Sequence, residues 1–236
     1  MRVCVLYSGG KDSSLALLKA SEEHEVACLV TLRPESEESW LFHYPNIHLV
    51  RLQAEALQLP LIEEPSPDDE KGGLAALRRA LARAKRVYGV EGVVTGAIKS
   101  SYQATRFERV CRELGLECIN PLWMRDDASV LREVVERGFH VIFTRVAGYP
   151  LRKTLLGRRI DMEIVKMLES LRRYLNPSGE GGEYETLVLD MPLFRKRLVL
   201  LKWRIEGIDY DATLVVEEAV LVEKRRGSWR SGISSS

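Results

Sequence analysis

The sequence predicts an α/β domain built on a parallel sheet, followed by a smaller α+β domain. Two observations carry that expectation. In the first half, short apolar runs alternate with amphipathic stretches at helical spacing; from Thr186 onward, long β runs follow one another across short turns. The length of 236 residues suits one large domain or two small ones. A chain of this size buries a core without disulfide or metal staples. The expected division is residues 1–122, residues 123–224 and a polar, Gly/Ser-rich tail at 225–236 that reads as disordered.

Arg2 to Tyr7 is an apolar run bounded by a glycine pair, as a buried parallel strand requires. Leu15, Leu17 and Leu18 then mark a helix over residues 12–20, and residues 25–32 a second strand. Residues 46–59 carry Ile47, Leu49, Val50, Leu52, Ala54, Ala56 and Leu57 on an amphipathic helix ended by Pro60. Leu61 and Ile62 open a short strand, and Gly72-Gly73 precedes a helical run over 74–88. Residues 92–95 and 117–120 read as strands flanking a helix at 101–114, which places helices on both faces of a parallel sheet. The second half begins with a helix at 130–137 and a strand at 141–146, then a longer helix at 159–174. Three β runs from residues 186, 197 and 212 follow, and their short connections predict an antiparallel meander.

Charge and cysteine usage narrow the function classes. Thirty-five Lys and Arg against thirty-four Asp and Glu leave a net charge of +1, so a polybasic nucleic-acid binder is not expected. No run approaches the ~20 apolar residues that span a bilayer. The opening MRVCVLYSGGKDSS breaks into glycine and charge too early for a signal peptide. Cys4, Cys28, Cys111 and Cys118 form no CxxC pair and read as reduced thiols of a cytoplasmic protein. Asn occurs only at 46, 120 and 176 and Gln only at 53, 58 and 103, an amide-poor, charge-rich usage that resembles a thermophile's.

The chemistry concentrates first in Ser8-Gly9-Gly10-Lys11-Asp12-Ser13, directly between the first strand and the first helix. Paired glycines let backbone N–H groups curl toward an anion, and a helix N-terminus adds its positive end. Lys11 supplies a cation and Ser8 and Ser13 supply hydroxyls. Asp12 has two readings, a Mg2+ ligand beside phosphates or a helix cap. Val5 stands where a Walker A loop needs glycine, and Asp12 where it needs Ser or Thr. The loop is not GxGxxG either, which leaves a dinucleotide fingerprint without support.

A second concentration is Glu180-Gly181-Gly182-Glu183-Tyr184-Glu185-Thr186, with three carboxylates within six positions. Like charges this close need cations or solvent. On an extended backbone Glu183 and Glu185 share one face and Tyr184 takes the other. Such a pair could position ammonium, a trimethylammonium group or Mg2+, and Tyr184 could offer a cation–π face; a solvated acidic turn is the other reading. The third segment, Thr95-Gly96-Ala97-Ile98 onward, follows a strand parallel to the first, so its loop reaches the same sheet edge. Gly96 there permits close approach of a nucleotide, and Tyr102, Gln103 and Arg106 project from the next helix start.

SGGKDS is the PP-loop of the N-type ATP pyrophosphatases, and the chain resembles that superfamily. GEGGEYETLVLDMP, TGAIKSSYQATRFERVC and FHYPNIHLVRLQAEALQLPL together resemble the diphthine–ammonia ligase family, in order, from Met1 to about Val222. The resemblance implies a PP-loop ATPase (HUP-like) domain at 1–122 and an α+β substrate-recognition domain after it. It implies ATP and Mg2+ as cofactors, diphthine-bearing elongation factor 2 and ammonia as partners, and amidation through an acyl-adenylate with release of AMP and pyrophosphate. On the same basis Ser8–Ser13 with Gly96, Ala97 and Ile98 hold the nucleotide, and Lys11, Asp12, Glu183 and Glu185 serve catalysis. His43, Asn46, Tyr102, Gln103, Arg106, Glu180, Gly182, Tyr184 and Thr186 then contact the substrate; Asn46 also fits a helix N-cap. Eukaryotic relatives often carry further C-terminal domains, which with the composition implies a thermophilic archaeon. Nothing in the sequence has the form of a glutaminase, so free ammonia is the expected nitrogen donor. The rivals are a tRNA-modifying PP-loop enzyme, which usually shows zinc or catalytic cysteine pairs or a basic face, an amide ligase acting on another carboxylate, and an adenine-nucleotide sensor without turnover.

Overall fold

The computed structural model describes residues 1–34, 46–98 and 101–224, with residues 101–104 described by backbone alone. The expected tail at 225–236 lies outside the described residues. The first half runs β1 (Arg2–Leu6), α1 (Lys11–Glu23), β2 (Glu25–Pro34), α2 (Val50–Leu57), β3 (Leu61–Ser66), α3 (Glu70–Tyr88), β4 (Gly92–Val94), α4 (Ser101–Leu114) and β5 (Glu117–Ile119). The second half runs α5 (Asp127–Glu136), β6 (His140–Ala147), α6 (Met162–Ser170), β7 (Tyr184–Asp190), β8 (Lys196–Ile208) and β9 (Asp211–Glu223).

The first five strands form one parallel sheet in the order β3-β2-β1-β4-β5. The chain winds outward from β1 in one direction through β3, then returns to the far side of β1 at β4. The carboxyl ends of β1 and β4 therefore flank a topological switch point, where the connecting loops diverge and leave a crevice. Residues 7–10 and 95–98 are the two loops at that point.

Three helix starts follow side-chain caps rather than hydrophobic period. Asp69 accepts from the Gly72 N–H at 2.9 Å, which starts α3 at Glu70 and puts Gly72-Gly73 inside the helix rather than before it. A Cβ on Gly72 would fall 2.8 Å from that same Asp69 carboxylate, so the cap needs the glycine. Asp126 and Asp161 cap α5 and α6 in the same way. The Asp161 cap moves the start of the helix expected at 159–174 to Met162, and α6 ends at Ser170.

The last four strands form an antiparallel sheet in the order β7-β6-β9-β8. The expected meander is corrected here: β8 and β9 make a hairpin, but β7 pairs with β6, and β6 separates β7 from β9. Sequence adjacency suggested β7 beside β8; the apolar β6, buried at Val141, Ile142, Phe143 and Val146, takes the centre instead. The placement leaves β7 as a sheet edge against the first half. Helix α1 packs between the parallel sheet and β7, so Leu15, Ala16, Leu17 and Leu18 are all buried and the helix has no wide solvent face. Among the described residues no helix is long and apolar enough to cross a membrane.

Candidate active site

A cleft of about 270 Å³ opens at the switch point between β1, β4 and β7. Its walls come from three distant segments: Ser8 and Gly10–Ser13, Thr95–Ala97, and Gly179, Glu180, Gly182 and Tyr184–Thr186. Leu6 and Phe107 complete it.

The loop after β1 is held from within and from β7. Ser13 Oγ lies 3.1 Å from Ser8 Oγ and accepts the Ser8 N–H at 3.3 Å, closing the turn upon itself. No side chain of the loop caps α1; the Lys11 N–H instead donates to Thr186 Oγ1 at 3.1 Å. Thr186 is thus tied to the helix start, and Gly10 leaves room for it, since a Cβ there would fall 3.3 Å from the Thr186 carbonyl. Gly9 sits at φ +82° and faces away from the cleft, its carbonyl accepting from Val188 N–H at 3.0 Å and from the Gln53 amide at 3.0 Å.

Lys11 and Asp12 form the charged centre. The Lys11 ammonium donates to Asp12 Oδ2 at 2.8 Å, and its side chain is 4% exposed against 26% for Asp12. It also lies 5.1 Å above the Tyr184 ring, so the cation on that aromatic face is Lys11 rather than a substrate group. Tyr184 is fully packed, its hydroxyl donating to the Pro177 carbonyl at 2.6 Å and its ring set edge-on to Phe143 at 5.0 Å. Burial, followed by the charges of Asp12, Glu183 and Asp127, raises its pKa well above the ordinary phenol value. The second Asp12 oxygen, Oδ1, is buried with no partner. An unpartnered carboxylate oxygen beside a helix N-terminus fits a divalent cation that takes its other ligands from phosphates and water. Among the described residues no cluster of three His, Cys, Asp or Glu side chains could hold a metal alone.

The acidic segment divides. Glu180 and Glu185 line the cleft, with Glu185 opposite Arg145 across β6 and β7. Glu183 does not join Glu185 on one face, because the strand begins only at Tyr184. Its carboxylate curls back instead to accept the Asn176 N–H at 2.7 Å. Gly182, at φ +84°, makes that bend.

The other expected residues separate as follows. Thr95–Ala97 reach the cleft, but Ile98 turns inward and is fully buried. Gly96 makes its close approach to protein: a Cβ would fall 2.7 Å from Ser13 N and 2.8 Å from Asp12 C. Asn46 stands at the N-cap position of a 3-10 turn at Ile47–Leu49, but its side chain makes no cap bond and lies outside the cleft wall; its amide donates to the Leu214 carbonyl at 2.8 Å and accepts the Val216 N–H at 2.9 Å on β9. Arg106 pairs with Glu70 at the start of α3. Tyr102 and Gln103 lie on the first turn of α4, their side chains outside the described residues, as is His43 altogether. Sequence reasoning missed Gln53, whose buried amide faces two backbone carbonyls, and Phe107 in the cleft wall. Gln53 left only a weak signal, one amide on the otherwise apolar side of a helix in an amide-poor chain.

Two family models match the chain, the diphthamide synthase N-terminal domain over residues 1–118 and the diphthamide synthase C-terminal domain over residues 126–222. This chain belongs to the diphthine–ammonia ligase family. A diphthine–ammonia ligase of Danio rerio is 36% identical over 223 residues, covering 85% of this chain and 86% of its own. The human protein of that name is 34% identical over 221 residues, covering 85% and 83%. That of Schizosaccharomyces pombe is 38% identical over 218 residues, and there the match spans 36% of the longer yeast chain. Among solved structures, a predicted subunit of tRNA methyltransferase from Methanocaldococcus jannaschii aligns with a TM-score of 0.45 and 17% identity, over 81% of this chain and 98% of its own. That weaker likeness adds nothing to the family assignment. Membership makes the cleft the candidate catalytic centre, with the Ser8–Ser13 loop on the N-terminal family domain and the acidic strand on the C-terminal one.

Proposed function

We propose that this protein is an ATP-dependent diphthine–ammonia ligase, amidating the diphthine carboxylate of elongation factor 2 through an acyl-adenylate and releasing AMP and pyrophosphate. One observation carries the reading within the family. Ser8 with Gly10–Ser13, Thr95–Ala97, and Glu180, Gly182 and Tyr184–Thr186, far apart in sequence, wall a single cleft centred on Lys11 and Asp12.

The start of α1 and the Lys11 ammonium meet the ATP phosphates and stabilise departing pyrophosphate electrostatically. Tyr184 and Asp12 hold Lys11 in one orientation, so little reorganisation is needed as charge develops. Asp12, whose Oδ1 is buried without a partner, would hold Mg2+, which would supply charge neutralisation of the phosphates. Glu185 and Glu180 form the acidic wall that receives the cationic part of the substrate and ammonium; Glu183 shapes the wall through Asn176. The division near residue 122, the cytoplasmic setting and a thermophilic archaeal source belong to the same reading.

The test incubates the protein with ATP, Mg2+, ammonium and diphthine-bearing elongation factor 2, following AMP and the mass of the modified residue. Carboxylate-to-amide conversion lowers that mass by ~1 Da. Lys11→Ala and Asp12→Ala are expected to abolish AMP formation, and Glu185→Gln to retain ATP binding while losing amide. No mass change with a competent factor and active ATP would exclude the ligase reading.

A further inference from the structure

Helix α5 contributes nothing to the cleft wall, yet it is fastened to two of the segments that do. Toward its end, Glu133 pairs with Lys19 of α1 at 2.8 Å, and Arg137, just past it, with Glu22 of α1 at 2.8 Å. At its first residue, Asp127 Oδ1 accepts from the Ser178 hydroxyl at 2.8 Å. Both partners are withdrawn from solvent, Ser178 fully and Asp127 to 8% exposed. A helix N-terminus favours a carboxylate there, and a charged acceptor makes the stronger hydrogen bond.

Ser178 belongs to a turn at 176–179 that meets the acidic segment at three further points. The Asn176 N–H donates to the Glu183 carboxylate at 2.7 Å, and the Pro177 carbonyl accepts from the Tyr184 hydroxyl at 2.6 Å. Gly179 lies against the Tyr184 ring, where a Cβ would fall 2.9 Å from it. Gly179 and Tyr184 both line the cleft, and the Tyr184 ring sits 5.1 Å beneath the Lys11 ammonium. A continuous path therefore runs from Asp127 through Ser178, the turn and Tyr184 to Lys11.

We propose that Asp127 is a positioning residue for the reaction: through Ser178 it fixes the turn that holds Tyr184, and with it the orientation of Lys11. The inference rests on the ligase reading. Two observations favour positioning over plain stabilisation. First, the Ser178 hydroxyl has a second acceptor, Asn176 Oδ1 at 2.8 Å, so losing Asp127 orphans no buried donor there. What is lost is the tie to another element. Second, α5 holds α1 as well, so a turn released from α5 is free to shift relative to the helix that bears Lys11. The Ser8–Ser13 loop keeps its own ties to β7 through Thr186, Val188 and Gln53, so ATP binding is expected to persist.

The experiment measures steady-state amidation and melting midpoints of the full chain carrying Asp127→Ala, Ser178→Ala, both together, Asp127→Asn, or Asp126→Ala. Each single alanine at 127 or 178 is expected to lower kcat for AMP formation about tenfold, with KM for ATP unchanged. The pair is expected to lose no more than either alone, because both act through one bond. Asp127→Asn keeps an oxygen acceptor for Ser178 and is expected to recover most of the lost kcat. Asp126→Ala is the control: it removes the 2.9 Å cap bond to Ser129 N–H on the same helix. It is expected to lower the melting midpoint and leave kcat unchanged. Should Asp127→Ala fold poorly, as its midpoint reads, Ser178→Ala alone decides. Wild-type kcat in the alanine variants of an active enzyme overturns the proposal. So do multiplied losses in the pair, no recovery in Asp127→Asn, or an equal fall of kcat in Asp126→Ala. Wild-type protein that forms no amide on a competent factor overturns the ligase reading itself, and this inference with it.

Discussion

The Gln53 side-chain nitrogen donates to the Gly9 carbonyl at 3.0 Å and to the Val188 carbonyl at 2.8 Å. One fully buried amide on α2 therefore pins the Ser8–Ser13 loop to β7, alongside the direct Val188 N–H to Gly9 O bond of 3.0 Å. Gly9 is required by the same contact, since its Cβ would fall 2.3 Å from Gln53 Oε1. Gln53→Leu leaves the Val188 carbonyl without this donor inside the protein, a loss on the order of 1–3 kcal/mol. The expected result is a fall of several degrees in melting midpoint, about 2–4 °C per kcal/mol at this chain size, with weaker ATP binding. Calorimetry with an ATP titration checks both; an unchanged midpoint would contradict the clamp.

Gly96→Ala tests the packing of the two loops at the switch point. The added methyl would meet Ser13 N at 2.7 Å and Asp12 C at 2.8 Å, both backbone, so α1 or the Thr95–Ala97 loop must move. Misplacing Lys11 and Asp12 by a fraction of an ångström is expected to lower AMP formation at least about tenfold while the fold persists. The comparison is between turnover and the far-UV circular dichroism of the two proteins. Wild-type turnover would show that the loops tolerate the shift.

Tyr184 separates two contributions by two substitutions. Tyr184→Phe removes the hydroxyl bond to Pro177 O, expected to cost about 1–2 kcal/mol of stability, but keeps the ring beneath Lys11. Tyr184→Leu removes the ring as well, and with it the face on which the buried ammonium rests. Near-normal kcat in the first variant and a marked fall in the second are the expected pattern. Equal kcat in both would leave the ring without a part in orienting Lys11.

His140 gives stability a pH dependence of known sign. Burial, then Arg159, holds its imidazole below the ordinary 6.5, with Asp190 opposing and Arg197 adding to the depression. The folded state favours neutral His140, so the unfolded chain binds more protons between the folded value and 6.5. This contribution is complete above 6.5 and is lost as pH falls from 6.5 toward the folded value. His140→Gln is expected to flatten that part of the profile. Urea midpoints measured on either side of 6.5 test it, and an equally steep decline in the variant would assign the slope to other groups.

The residue order alone determined the α/β half, because strand–turn–helix units are local and their apolar periods are readable one element at a time. It also determined the loop Ser8–Ser13, since glycine, cation and helix start are consecutive, and through three separated motifs it pointed to the family. The second half was legible as elements but not as a sheet. Which strand takes the centre depends on long-range burial, and β6 is more apolar than its place in the chain implied. The same limit applied to the site. Glu183 and Glu185 have the spacing of a pair, yet one bend at Gly182 sends Glu183 to Asn176. Asn46 resembled a cap or a substrate contact, and only β9 supplies the backbone groups that occupy its amide. Gln53 carried no motif at all. Its role arises where α2, the Ser8–Ser13 loop and β7 converge, and buried backbone carbonyls there need a donor that nothing nearby in sequence supplies.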